Sequence, residues 1–181
     1  MNTMKKALGD IKEFLNSDDR CMLITGTHQF KKHLLVMAAI DQTYNNARVL
    51  FRVNAMDMLA NRDFLGGFIK NQPKAWERFK IDNNYYYADS FTQRRTWHND
   101  HDIDFAINYP IDAIAREEVK LDCVDDLFQN RSIKKIFLVS WTDAGKSYDI
   151  FNKYVNRSTI YDAEEEDVAY HKRVLEFDKR S

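Results

Sequence analysis

Short runs of consecutive apolar residues alternate along the chain with longer segments whose apolar residues recur at helical spacing. The runs predict six strands, at Cys21–Thr25, Arg48–Val53, Tyr85–Ala88, Asp104–Tyr109, Lys135–Ser140 and Ser158–Tyr161. The spaced segments predict helices at Met4–Leu15, Gln29–Thr43, Asp112–Asn130, Asp143–Val155 and Glu164–Phe177, with shorter ones at Ala55–Leu59, Asp63–Ile69 and Gln72–Phe79. Strands that are apolar throughout are covered on both faces, so the pattern predicts a sheet between two layers of helices.

The alternation of strands and helices places the chain in the α/β class. We expect a three-layer structure of P-loop or Rossmann-like type, with a mostly parallel central sheet of about five to six strands and helices on both faces. Residues 1–181 are expected to form one domain, in which residues 1–20 contribute an N-terminal helix before the first core strand. Ligands of such sheets bind at the carboxyl ends of the strands, which directs attention to the loops there.

Composition and charge exclude several classes of protein. The formal net charge is -1, so any contact with nucleic acid or an anionic membrane must come from a local patch. No run approaches the roughly 20 apolar residues that span a bilayer, and the N-terminal segment lacks the apolar run of a signal peptide. Cys21 and Cys123 lie in apolar stretches and are expected to be reduced core residues. We therefore predict a cytoplasmic protein without membrane contact.

The segment Gly26–His33 follows the first predicted strand and opens a helix. The phosphate-binding pattern G-x-x-x-x-G-K-[ST] occurs in the same context. Gly26 and Lys32 match it, whereas Lys31 replaces the second glycine and His33 replaces the hydroxyl residue. A helix N-terminus with two lysines attracts anions. We predict a phosphate-binding site formed by Gly26, Thr27, His28, Lys31, Lys32 and His33. The alternative interpretation is a plain βα unit whose lysines face solvent.

With this loop and this order of elements, the chain resembles a P-loop NTPase core of the additional-strand type, with a degenerate loop, over roughly residues 21–162. The resemblance implies that the segment from Asp104 to Asp112 takes the position of the acidic metal-coordinating strand. It also implies that Lys135–Thr142 is the sensor strand, with Ser140 or Thr142 as its polar tip. It leaves the cofactor open, with ATP or GTP together with Mg²⁺ as candidates. The missing glycine and hydroxyl imply slow hydrolysis or none.

A second near-match to the phosphate-binding pattern occurs at Ser140–Ser147. This segment follows a predicted strand and ends in Gly-Lys-Ser, but it lacks the first glycine. The alternative interpretation is a helix N-terminus capped by Thr142 or Asp143.

Acidic residues in the middle of the chain permit a different function. Asp104, Glu118 and Lys120 match the D…E-x-K constellation of Mg²⁺-dependent nucleases. On a helix with 3.6 residues per turn, however, Glu118 and Lys120 point about 200° apart. The neighbouring run His98, Asp100, His101, Asp102 and Asp104 is either a set of metal ligands or a polar loop whose acids cap turns.

Basic and aromatic residues suggest a surface that contacts a partner. Arg94, Arg95 and Trp97, together with Tyr85–Tyr87, would suit single-stranded nucleic acid or a protein partner. Three hypotheses therefore remain: a degenerate P-loop-like domain that binds nucleotide or nucleic-acid phosphate, a non-catalytic interaction subunit of a larger assembly, and an Mg²⁺-dependent nuclease.

Overall fold

The computed structural model describes residues 1–115, 121–142 and 147–178 of the chain. Seven strands form one sheet, and they are β1 (Cys21–Thr25), β2 (Arg48–Val53), β3 (Phe79–Ile81), β4 (Asn84–Ser90), β5 (Phe105–Asn108), β6 (Lys135–Val139) and β7 (Arg157–Ile160). They lie in the order β3-β4-β2-β5-β6-β1-β7. All neighbouring strands are parallel except β3 and β4, which form an antiparallel pair. The predicted α/β class with a mostly parallel sheet is confirmed.

Four α-helices accompany the sheet in the described residues, and they are α1 (Met4–Leu15), α2 (Lys32–Thr43), α3 (Asp122–Gln129) and α4 (Val168–Asp178). Thr3 begins α1, because its hydroxyl oxygen accepts the Lys6 N–H at 3.2 Å and so satisfies one of the unpaired amides of the first turn. Within the described ranges, no helix has the length and apolar character required to cross a membrane.

Alternate residues of β1, β2, β4, β5 and β6 enter two separate hydrophobic cores. In β1, Met22 and Ile24 pack into the core that contains α1 and α2, whereas Cys21 and Leu23 pack into the core that contains α3. This arrangement explains the continuous apolar runs, since both faces of the strand are buried. Both cysteines are buried and carry free thiols, as the sequence predicts.

Several local predictions were wrong. The predicted helix Gln72–Phe79 does not form, since Trp76 has a φ of 63° and its backbone N–H donates to the Ala88 carbonyl at 2.9 Å. Strand β3 was not predicted. In the described part of the predicted helix Asp143–Val155, the helical residues are the single 3-10 turn Asp149–Phe151. Residues 63–69 form turns, and the predicted helix at 55–59 is reduced to the 3-10 turn Met56–Met58.

A buried ionic cluster joins β2, β4 and α3. The Arg52 guanidinium, which is fully buried, donates to both carboxylate oxygens of Asp89 at 2.8 and 2.7 Å and to Asp126 at 3.0 Å. It also lies 4.8 Å from the ring centroid of Trp97. Burial opposes the charge on Arg52, but the two carboxylates outweigh burial and raise its pKa above the ordinary value.

Candidate functional site

The loop between β1 and α2 lies at the carboxyl edge of the sheet, between the ends of β6 and β7. Gly26 opens it with a φ of 119°, a conformation that favours glycine. A Cβ atom at Gly26 would lie 2.2 Å from the carbonyl oxygen of Tyr161, the residue that follows β7. The His28 N–H donates to the same carbonyl at 3.2 Å. The loop is therefore packed directly against the chain that leaves β7.

Lys32 is fully buried in the first turn of α2. Its ammonium donates to the carbonyl oxygen of Gly26 and, at 3.0 Å, to that of Trp141, which follows β6. A buried ammonium requires such acceptors, because the cost of removing it from water is otherwise large. Lys32 thus ties the start of the loop to the end of β6.

His33 occupies the position of the hydroxyl residue in the phosphate-binding pattern. Its ring is fully buried and is stacked on Tyr109, with the ring centroids 4.1 Å apart. Its Nε2–H donates to the Phe64 carbonyl at 2.9 Å. Burial, opposed by the Phe64 bond and reinforced by the neighbouring Lys32 charge, lowers the pKa of His33 to about 4. The ring is therefore neutral at physiological pH.

The end of β5 carries no carboxylate. The strand ends at Asn108, which is followed by Tyr109 and Pro110. Tyr109 is buried, and its hydroxyl donates to the Gln29 carbonyl at 3.2 Å, inside the loop. Its ring therefore touches the loop on the α2 side of the sheet, where it meets His33.

Residues that follow β7 form hydrogen bonds with the polar groups at the beginning of the loop. The Thr27 N–H donates to an Asp162 carboxylate oxygen at 2.9 Å. The Thr27 hydroxyl accepts the Ala163 N–H at 3.0 Å and lies 2.7 Å from Nδ1 of His171, on α4. The other oxygen of Asp162 accepts an Asn2 side-chain N–H at 2.8 Å. One carboxylate is thus held by the loop and by the start of the chain.

A second carboxylate, that of Glu166, lies beside the other end of the loop. It accepts hydrogen bonds from the Lys31 ammonium and the Tyr161 hydroxyl, and it lies 3.3 Å from Nε2 of His28. Burial favours the protonated acid, but these three contacts outweigh burial and lower the pKa of Glu166 to about 2. Glu166 is therefore ionised at any physiological pH.

The residues assigned to the acidic and sensor positions separate into two groups. Asp112 accepts the backbone N–H groups of Trp141 and Thr142 at 2.5 and 3.2 Å and the Thr142 hydroxyl at 3.2 Å. Because Trp141 also accepts from Lys32, the structure brings Asp112, Thr142 and Lys32 to one region. Ser140 is buried at the end of the same strand, and its N–H donates to Ile24 at 3.0 Å.

Asp104 lies away from this region, at the amino end of β5. It accepts hydrogen bonds from the Arg48 N–H at 3.0 Å and from its guanidinium at 3.1 Å, and it lies 3.4 Å from Lys134. The structure therefore does not bring Asp104 together with Asp112 or with the loop. Glu118 and Lys120 lie outside the described residues, as do residues 143–146 of the second near-match.

The residues predicted to contact nucleic acid or a partner do not form one surface. Trp97 is only 6% exposed, its Nε1–H donates to the Ser90 carbonyl at 2.8 Å, and Arg52 covers its ring. Its stacking faces are therefore used inside the protein, because the segment after β4 folds back over the core that contains α3. Arg94 is exposed but is paired with Asp122, and Arg95 is exposed.

The polar run from His98 to Asp104 is organised by contacts within the protein. Arg48 bonds to Asp102 at 3.2 Å as well as to Asp104, and the His101 ring is stacked parallel to Trp76 with centroids 5.6 Å apart. Across residues 1–115, 121–142 and 147–178, no three His, Cys, Asp or Glu side chains converge in a way that could hold a metal ion.

Sequence reasoning missed three residues that complete the loop. Asp162 and Glu166 supply its carboxylates, and His171 bonds to Thr27 although its sequence position suggests no partner. Asp162 could have been found, since it directly follows a predicted strand and so lies at the carboxyl edge. The predicted helix Glu164–Phe177 begins later than expected, since α4 starts only at Val168 and Glu166 lies in the turn before it.

No protein-family model and no curated protein sequence matches the chain. Among solved structures, it is similar to the large terminase of a thermophilic bacteriophage, determined in complex with ATP-gamma-S, with a TM-score of 0.58 and 12% sequence identity. The superposition covers 97% of this chain and 48% of the terminase chain, so this chain spans about half the length of that protein. At this identity the likeness concerns the fold. The chain therefore has a mostly parallel α/β fold similar to that of the phage large terminase.

Proposed function

We propose that this domain binds phosphate groups of a nucleotide or of nucleic acid at the loop Gly26–His33, and that it hydrolyses nucleotide slowly or not at all. The observation that carries the proposal is the convergence of the Lys31 ammonium, the His28 ring and the Tyr161 hydroxyl on one carboxylate, that of Glu166. These groups already hold an oxyanion, and phosphate oxygens accept the same kind of bond.

The surroundings of the loop support an anionic ligand. Lys31 is the N-cap residue of α2, and its side chain makes no capping hydrogen bond to the first turn. The positive end of the helix dipole therefore faces the loop. Lys31 keeps about half of its side chain exposed, and Lys32 is buried one residue further along. The similar terminase structure contains ATP-gamma-S, which favours a nucleotide as the ligand.

Slow hydrolysis or none is supported by the residues that would face a metal ion. In P-loop NTPases, Mg²⁺ is held by the hydroxyl of the loop and by an acidic residue at the end of a neighbouring strand. Here His33 stands at the position of the hydroxyl residue and stacks on Tyr109, which follows β5. The buried imidazole donates its Nε2–H to Phe64, and the Asp112 carboxylate accepts from the N–H groups of Trp141 and Thr142, so both groups that would face a metal ion are engaged within the protein.

Isothermal titration with ATP and GTP, each with and without Mg²⁺, and with a short single-stranded DNA tests binding. Lys31→Ala is expected to weaken binding at least about tenfold, since it removes one charge-assisted contact. Lys80→Ala removes an exposed lysine of β3, at the opposite border of the sheet, and should leave affinity unchanged. The proposal would be abandoned if no ligand released or absorbed heat at millimolar concentration.

Hydrolysis is tested separately, by measuring phosphate release from ATP and GTP with saturating Mg²⁺. We expect no release above that of the protein-free buffer. Mg²⁺-dependent turnover that is lost in Lys32→Met would contradict this part of the proposal and leave the binding part standing.

A second candidate function is an interaction subunit, and α4 favours it. Val168, Leu175 and Phe177 of this helix are 52%, 42% and 59% exposed. Size-exclusion chromatography with light scattering would show self-association that decreases in Leu175→Ser. A monomer at all concentrations would exclude association with itself through this helix. Asp104, the described member of the nuclease constellation, is engaged by Arg48, so nothing in its geometry favours that alternative.

A further inference from the structure

We propose that Glu166 is an internal substitute for a phosphate group and that an incoming polyphosphate must displace it from the loop. This inference rests on the proposed function, because it concerns the same loop. It adds that the Glu166 carboxylate occupies the loop in this structure. An external ligand must compete with this carboxylate, which lowers the affinity of the loop for that ligand.

The donors around Glu166 have the character of an oxyanion site. An ammonium from Lys31, a phenolic hydroxyl from Tyr161 and a ring N–H from His28 converge on a single carboxylate. His28 and Lys31 belong to the loop and Tyr161 follows β7, so none of them belongs to the segment that begins α4. Phosphate has more acceptor oxygens and more charge than a carboxylate, so the same three donors would bind it at least as well.

The segment that carries Glu166 is attached in a way that allows it to leave. Tyr161 and Ala163 are buried and fix the chain just after β7, but residues 164–169 are all exposed. Polar contacts of Glu166 therefore hold residues 164–167 against the loop, whereas His171 of α4 is bonded separately to Thr27. Release of residues 164–167 would expose little apolar surface. Asp162 differs, because it lies between two buried residues and is also bonded to Asn2. We assign the displaceable role to Glu166 and a fixed role to Asp162.

The chain offers a matched pair of variants. Glu166→Gln removes the charge that competes for Lys31 while keeping the side-chain size. Glu164→Gln removes the same charge two residues away, from a side chain that is exposed to solvent. Both variants have the same net charge, so any difference between them reports the position of Glu166.

Titration of full-length protein with inorganic tripolyphosphate, without Mg²⁺, tests the inference. Glu166→Gln should bind at least about tenfold more tightly than the wild type, the change expected when one charge-assisted contact no longer competes. Glu164→Gln should bind like the wild type. In the wild type, tripolyphosphate should also accelerate amide hydrogen exchange in residues 164–167, because this segment is released.

The outcomes separate the two proposals. Equal affinities for the wild type and both variants would overturn the displacement and leave phosphate binding intact. An equal gain in both variants would show a general charge effect and would also overturn it, as would unchanged hydrogen exchange in residues 164–167 at saturation. If neither the wild type nor Glu166→Gln binds tripolyphosphate, phosphate binding at the loop fails and the displacement fails with it.

Discussion

The imidazole of His33 lies on the ring of Tyr109, with centroids 4.1 Å apart and an angle of 26° between the planes. This contact joins the first turn of α2 to the end of β5 across the interior of the protein. Nε2 of His33 donates to the Phe64 carbonyl, and Nδ1 has no hydrogen-bond partner among the described residues. The stack is therefore stable only while the imidazole is neutral, because a second N–H would be buried without an acceptor.

The first prediction concerns stability at mildly acidic pH. The pKa of His33 is about 4 in the folded protein, against an ordinary value of 6.5, so the unfolded chain binds one more proton between these values. The stabilising effect of the neutral ring is complete above pH 6.5 and is lost as the pH falls to 4, by about 3 kcal/mol in total. Urea unfolding of the wild type and of His33→Phe from pH 7 to 4 would show this difference, and parallel curves would contradict it.

Gly26 provides a second prediction. Gly26→Ala should lower the free energy of unfolding by at least about 2 kcal/mol, since it combines an unfavourable φ with a clash against the Tyr161 carbonyl. Gly9→Ala is the control, because Gly9 lies within α1 and a methyl group added there would meet nothing within 4 Å. The control should stabilise the protein by up to about 1 kcal/mol. Similar effects of both substitutions on urea unfolding would disprove the packing of the loop against Tyr161.

The buried ionic cluster makes a third prediction. Asp89→Asn should destabilise the protein by about 3–5 kcal/mol, because it leaves the Arg52 guanidinium buried with one carboxylate fewer. Asp122→Asn is the comparison, since its carboxylate pairs with Arg94 at the surface, where an ion pair contributes at most about 1 kcal/mol. Thermal unfolding with calorimetric detection would measure the stability of both variants. A loss of unfolding free energy below about 1 kcal/mol for Asp89→Asn would show that water hydrates the guanidinium in the variant.

Asn108 leads to a fourth prediction, of the opposite sign. Both polar atoms of its amide are buried without a partner among the described residues. Asn108→Leu should be neutral or stabilising by about 1 kcal/mol, since it removes an unsatisfied polar group. Asn84 is equally buried, but its amide bonds to the Ala47 N–H and to Asp41, so Asn84→Leu should cost about 1–3 kcal/mol. Chemical unfolding would rank the two variants, and an equal loss in both would reveal a hidden partner of Asn108.

The fold class could be predicted from sequence because a strand that is buried on both faces appears as a run of consecutive apolar residues. Strand β3 leaves no such trace, since it has three residues, of which Lys80 is exposed and Ile81 is buried. The helix predicted around Trp76 does not form, because this residue has a positive φ and its backbone N–H donates to Ala88 of β4. The spacing of apolar residues reveals neither feature.

The position of the loop at the carboxyl edge of the sheet could be predicted, but the groups that contact the loop could not. The glycine and lysines of the loop could be recognised because they are neighbours in sequence. The groups that occupy the loop could not, since Asp162 and Glu166 lie 135 positions from Thr27 and Lys31. The stack of His33 on Tyr109 is equally remote from any local pattern. Trp97 was placed on the surface because aromatic residues beside arginines suit stacking with bases, whereas Arg52 stacks on it within the core.

The cluster of Arg52, Asp89 and Asp126 also offers a way to find relatives that sequence similarity does not detect. Its two acids lie 37 and 74 positions from the arginine, on a different strand and on a helix. Losing any one member is costly while replacing all of them by apolar residues is tolerated, so the three positions should change together during divergence. Co-occurrence of an arginine late in β2 with acids in β4 and α3 is thus expected to identify homologous chains whose remaining residues have diverged beyond recognition.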